Sequence, residues 1–187
     1  MPGTTTKLNG VDVDRLEETI AAIDADPKLA RFEFRAKTEW EGGARSRTTV
    51  KEFHGAGRTD TSREQPLEMV GDEPPLLLGE NRAPNAVETV LHALTSCLTV
   101  GFVYNAAARG IEVRSLDFDI DGELDLRPFL GLGDGEPAGY DEIRVRYRVD
   151  ADAPKERIDE LCAHVQRTSP VLDVISRPVP VSVSREA

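Results

Sequence analysis

From Ala86 to Arg109 the chain has no proline, a single glutamate and only a terminal arginine, and Gly110 follows at the position a helix uses for its left-handed exit. This run predicts a helix, roughly 36 Å long at about 1.5 Å per residue. In a chain of 187 residues, enough for one well-buried core, the other elements must pack around such a rod. Thr89, His92, Thr95, Ser96, Thr99 and Asn105 interrupt it too often for a membrane span. Its threonines and valines are weak helix formers, so packing must hold it, and burial within the protein is the expectation.

The flanking segments have other periods. Leu16, Ile20 and Ile23 share one helical face, with Asp14 and Glu17 spaced like a capping box and Pro27 closing the segment. Residues 1–28 therefore read as an N-terminal helical extension to a main domain over residues 29–187. From Arg31 to Trp40 apolar and charged residues alternate, as in a half-buried strand. Gly42-Gly43 turns into a second strand near Arg45 to Phe53, and Gly55 to Gly57 mark a further turn of an antiparallel meander. Pro74-Pro75, Gly79 and Pro84 make residues 59–83 an irregular connection, in which Leu76, Leu77 and Leu78 suggest partial burial.

Beyond Gly110, one strand sets Leu116, Phe118 and Ile120 against Asp117, Asp119 and Asp121. A later strand sets Ile143, Val145, Tyr147 and Val149 against Arg144, Arg146 and Arg148. Side by side, their outer faces are charge-complementary. The glycine-rich stretch from Pro128 to Gly139 suits the connecting loop. Ile158, Leu161, Cys162 and Val165 form the stripe of a further helix, Ser169-Pro170 reads as an N-cap with proline at N1, and Val179, Val181 and Val183 predict a last strand. The order defines an α+β protein with antiparallel sheet on helices.

A formal net charge of −11 disfavours nucleic acid and anionic membrane surfaces as partners. The N-terminus lacks the apolar core of a signal peptide, which points to the cytoplasm and to free thiols at Cys97 and Cys162. His54, His92 and His164 do not fall at ligand spacing, and no metal or other cofactor is implied. A serine-hydrolase elbow and a phosphate-binding glycine loop are absent as well. Cys97 has little competition as a chemical group, although a cysteine amid Leu94, Leu98 and Val100 also suits plain core packing.

The run Pro84-Asn85-Ala86-Val87-Glu88, then Leu91-His92-Ala93-Leu94 and Cys97, resembles the central-helix motif of the OsmC/Ohr family of thiol-dependent peroxidases. Gly110, the alternating strands and Ser169-Pro170-Val171 extend the likeness over roughly residues 30–185. The resemblance implies antiparallel sheets packed on the long central helix in an intertwined homodimer. It also implies that Cys97 is the thiol oxidised by an organic hydroperoxide or hydrogen peroxide, that Glu88 orients an arginine beside that thiol, and that Arg45, following Gly42-Gly43, is that arginine. Arg47, Arg58 and Arg82 compete for the last role. Asn85 and Glu88 are equally spaced for a capping box.

Active members of the family carry a resolving cysteine directly before a late Pro-Val, and Ser169 stands there. The resemblance then implies an external thiol or dithiol as reductant, with Cys162 a weak internal substitute. Two other readings stay open: a non-enzymatic protein of the same fold that binds a small ligand, and a redox sensor using the same oxidised sulfur.

Overall fold

The computed structural model describes residues 6–133 and 135–186. Two compact units divide the chain: Thr6 with Asp12–Val90 makes up the first, and Lys7–Val11 with the chain from Leu91 onward makes up the second. Lys7–Leu8 (β1) and Val11–Asp12 (β2) flank a turn at Asn9 and Gly10, both at positive φ.

In the first unit, α1 covers Val13–Ala25, and its N-cap is Asp12, whose carboxylate accepts the Arg15 N–H at 3.0 Å. The start predicted from Asp14 and Glu17 is thereby corrected, because Asp14 instead accepts the Thr6 N–H at 3.0 Å. The single strand expected from Arg31 to Trp40 is also corrected. It breaks into Glu33–Phe34 (β3) and Lys37–Gly42 (β4), which belong to different sheets. With Arg45–Val50 (β5), Phe53–Gly55 (β6), Arg58–Asp60 (β7) and Leu67–Gly71 (β8), these form two antiparallel sheets of orders β3-β6-β7 and β4-β5-β8. Period-two alternation describes both halves equally well; the break is set by which distant strand each half pairs with. Gly42 and Gly43, at φ +96° and +58°, make the β4–β5 turn that a side chain would strain.

The apolar faces of this unit stay open. Phe32 stacks on Phe34 and on Phe53, which are tilted against each other, yet Phe34 is 68% exposed and Trp40 77%. No apolar side chain among Asp12–Val90 is buried; Asp72 is the buried polar residue there. Its carboxylate accepts the N–H groups of Glu73 (2.8 Å), Glu80 (3.2 Å) and Arg82 (3.0 Å), and so folds the irregular connection around itself. The Arg82 N–H, above all, holds this carboxyl below its ordinary range. A 3₁₀ turn, Pro75–Leu77, leaves Leu76 and Leu78 almost fully exposed and Leu77 half-buried, so the expected partial burial holds for one leucine of the three.

Helix α2 covers Ala86–Ala108. Its exit is a Schellman turn: Gly110, at φ +66°, donates to Ala107 O at 3.0 Å and Ile111 donates to Ala106 O at 2.9 Å. Burial follows one stripe, Leu94, Leu98, Phe102 and Ala106, while Val100 and Tyr104 are exposed, so the helix is not enclosed all round as its composition suggests. By length and hydropathy alone it would suit a bilayer crossing. Here the stripe joins Ile111, Leu161, Cys162 and Val165 in the core.

The second unit adds the antiparallel pair Val113–Leu124 (β9) and Tyr140–Ala151 (β10) and the helices Lys155–Thr168 (α3) and Pro170–Ser176 (α4). Phe118, Ile120, Ile143 and Val145 pack against the core, as alternation predicts. The outer faces pair by charge: Arg144 reaches Asp121, directly opposite, at 2.8 Å, while Arg146 and Arg148 reach diagonally, to Asp121 at 2.7 Å and to Asp119 at 2.8 Å. Asn9 clips onto this unit, donating to Ile111 O at 2.9 Å and accepting from Val113 N at 2.8 Å. Val179, Val181 and Val183 form no strand among the described residues. Their alternation meets no partner edge, and Val183 is 92% exposed.

A cysteine and a capping serine form the candidate site

Polar residues are tolerated on α2 because the helix satisfies them itself. Thr95 donates to Leu91 O (3.1 Å), Thr99 to Thr95 O (2.8 Å) and Asn105 to Gly101 O (2.9 Å). Cys97, next to the buried Leu98, lies at the edge of the stripe and is half-buried. Gly101, one turn on, lets α3 approach: a Cβ there would stand 3.2 Å from Val165 Cγ1.

Where α3 ends, Ser169 caps α4. Its hydroxyl oxygen accepts the Leu172 N–H at 3.2 Å and Pro170 occupies N1, as expected from the sequence. The same hydroxyl donates to Cys97 Sγ at 3.2 Å, and Ser169 is only 5% exposed. Cys97 opens onto a surface cleft of about 450 Å³ walled by Ser96, Val100, Gly101, Val165, Thr168 and Pro170. Among the described residues no charged side chain lines it. The arrangement therefore offers an accessible sulfur, one fixed hydroxyl donor and an apolar approach, which suits nucleophilic thiol chemistry on a neutral reactant.

The other predicted residues belong to the first unit. Glu88 forms the capping box with Asn85: the Asn85 N–H donates to Glu88 Oε2 at 2.8 Å, and the Glu88 N–H to Asn85 Oδ1 at 2.9 Å. Arg45 faces Glu80 at 3.6 Å and donates to Glu41 O at 3.4 Å. Arg47 bridges Glu41 and Glu68, both at 2.6 Å, and Arg82 pairs with Glu80 at 2.9 Å. Glu88 and these arginines belong to the first unit and Cys97 to the second. The contact described for Cys97 is with Ser169.

Cys162 is buried in the stripe of α3 and lines a separate apolar cavity of about 220 Å³ with Phe102, Phe118, Tyr147 and Leu172. Burial pushes its thiol up from the ordinary value, partly offset by a hydrogen bond with Tyr147. Among the described residues no group of His, Cys, Asp or Glu could hold a metal ion. Sequence reasoning placed Ser169 as a cap and as the counterpart of a resolving cysteine. Its contact with Cys97, a residue far away in the chain, had no local signal.

Fold and site together define a thiol-bearing α+β protein built on one long helix. The chain belongs to the OsmC family, whose model, described as OsmC-like protein, matches residues 79–184. Its fold is similar to that of a putative osmotic stress induced and detoxification response protein from Psychrobacter arcticus, with a TM-score of 0.56 and 13% identity over 74% of this chain and 85% of that one. An OsmC-like protein from Mycoplasma pneumoniae has a TM-score of 0.54 and 14% identity, covering 78% and 87%. An organic hydroperoxide resistance protein OsmC from Legionella pneumophila has a TM-score of 0.50 and 15% identity, covering 76% and 88%. No curated protein is close enough in sequence to count as a relative.

Proposed function

We propose that the protein is a thiol-dependent peroxidase of oxidative-stress defence that reduces organic hydroperoxides or hydrogen peroxide through Cys97. The observation that carries this reading is the half-buried Cys97 sulfur, open to an apolar cleft and held by a single hydroxyl. In the reaction the Cys97 sulfur attacks the distal peroxide oxygen. The O–O bond breaks, an S–O bond forms, and an alcohol or water leaves with the sulfur oxidised to a sulfenic acid. An external thiol condenses with that acid, releasing water and forming a mixed disulfide. A second thiol of the reductant displaces Cys97 and departs as the oxidised disulfide.

The external reductant follows from Ser169, which cannot make a disulfide. Arg45 and Glu88 remain our candidates for the cation that binds the peroxide and the carboxylate that orients it. We place them in a homodimer, because the first unit buries no apolar side chain of its own while presenting Phe34, Trp40, Leu76 and Leu78 to solvent. Two free thiols suit the reducing cytoplasm, and a net charge of −11 argues against nucleic-acid or membrane partners.

The test is consumption of cumene hydroperoxide and hydrogen peroxide with dithiothreitol as reductant. Wild-type protein should turn over and Cys97→Ser should not; equal rates for the two, or none for the wild type, sink the proposal. A second reading, small-ligand binding in this fold, is favoured by the separate apolar cavity around Phe102 and Tyr147. An apolar ligand co-purifying with a protein whose Cys97 is inert to peroxide would support it over catalysis.

A further inference from the structure

We propose that Ser169 is a second catalytic residue, whose hydroxyl hydrogen stabilises the negative sulfur of Cys97 as it forms and attacks. This rests on Cys97 being the nucleophile, as proposed above, and adds the group that stabilises it.

The hydrogen inventory of Ser169 supports the assignment. A serine hydroxyl has one hydrogen and two lone pairs. One lone pair is taken by the Leu172 N–H at 3.2 Å, which fixes the oxygen at the head of α4, and the hydrogen is directed to Cys97 Sγ at 3.2 Å. When Cys97 carries its proton, either partner can donate across that contact. Once Cys97 is a thiolate only Ser169 can donate, and the bond becomes charge-assisted, about twice as strong as a neutral one. The interaction thus favours the reacting form over the resting thiol, the condition for accelerating a step.

The donor is also preorganised. Ser169 is 5% exposed, Pro170 restricts the backbone that follows, and the cap bond to Leu172 opposes rotation of the hydroxyl away from the sulfur. Among the described residues no charged side chain lines the cleft, and the Ser169 hydroxyl is the polar group directed at the sulfur. Serine at this position therefore replaces a disulfide partner with a permanent donor, and leaves the oxidised sulfur open to the external thiol.

The experiment is Cys97 alkylation by iodoacetamide as a function of pH, in a Cys162→Ala background so that one thiol reports. Ser169→Ala removes both the donor and the cap, Ser169→Gly removes the donor but keeps a residue that starts a helix almost as well as serine, and Ser169→Thr keeps both. Ser169→Ala and Ser169→Gly should react about tenfold more slowly at pH 7, with profiles displaced to higher pH, and Ser169→Thr should stay near wild type. Loss of the cap alone would spare Ser169→Gly, so slowing of both separates the donor from the fold. If Ser169→Ala and Ser169→Gly alkylate at the wild-type rate and pH, the proposal is wrong. Because iodoacetamide alkylation involves no peroxide, this result stands apart from turnover: a displaced profile without peroxide consumption keeps the donor and rejects the peroxidase. Turnover with an unmoved profile does the reverse.

Discussion

Ser169 Oγ lies 3.2 Å from Cys97 Sγ, so the hydroxyl occupies the place from which a sulfur would bond to Cys97. A disulfide requires about 2.05 Å between sulfurs, and a longer C–S bond covers part of the difference. Ser169→Cys should therefore form an intramolecular disulfide with Cys97 on mild oxidation. Mass spectrometry should show the loss of two hydrogens, and thiol titration should leave Cys162 alone reactive in urea. Recovery of every thiol after diamide treatment would mean that the two side chains are not so placed.

Asn85 and Glu88 satisfy each other's backbone N–H groups at the head of α2. Asn85→Ala should lower stability by about 1 kcal/mol, the usual cost of losing such a cap, read from the urea midpoint at unchanged slope. Glu88→Gln retains a capping-box acceptor and should cost little. The same Glu88→Gln variant tests the proposed orienting role: a large loss of peroxide turnover at unchanged stability would place its carboxylate in the chemistry.

Burial raises the Cys162 thiol above its ordinary value, and burial likewise raises the Tyr147 phenol. A buried thiol keeps its proton in the folded state after the unfolded chain has begun to lose it. Its contribution is thus fully present below the unfolded pKa, near 8.5, and is lost as pH rises through the higher folded value. Stability should fall through the alkaline range, and Cys162→Ala should make that fall shallower. An identical alkaline slope in the variant would show that Cys162 ionises equally in both states.

Trp40 is the chain's one tryptophan and is 77% exposed in the isolated chain. If the homodimer covers the sheet that carries it, its fluorescence should be blue-shifted at micromolar concentration and move to the red on dilution. Sedimentation should follow the same midpoint. A red, concentration-independent emission from a monomer would remove the dimer from the proposal.

Local patterns determined the elements whose partners lie close in the sequence or are built into the helix. The exit of α2 at Gly110, the Asn85 and Glu88 box, the Ser169-Pro170 cap and the buried stripe of α3 all follow from bonds spanning a few residues. The charge match of β9 and β10 was legible too, because both strands keep a strict period of two, although the diagonal reach of Arg146 to Asp121 was not. Tertiary structure decided what depends on distant partners or on their absence: the break of the first strand between two sheets, the exposure of Leu76 and Leu78, and the unpaired tail around Val181. The N-cap at Asp12 is a local bond to Arg15, which the spacing of Asp14 and Glu17 hid. Cys97 shows both kinds of information. Its residue type and the family motif around it marked it as the candidate reactive group, but the hydroxyl that holds its sulfur comes from Ser169, 72 positions along the chain. Periodicity reports which way a side chain faces; only the packing of α2 against the α3–α4 junction determines what it meets.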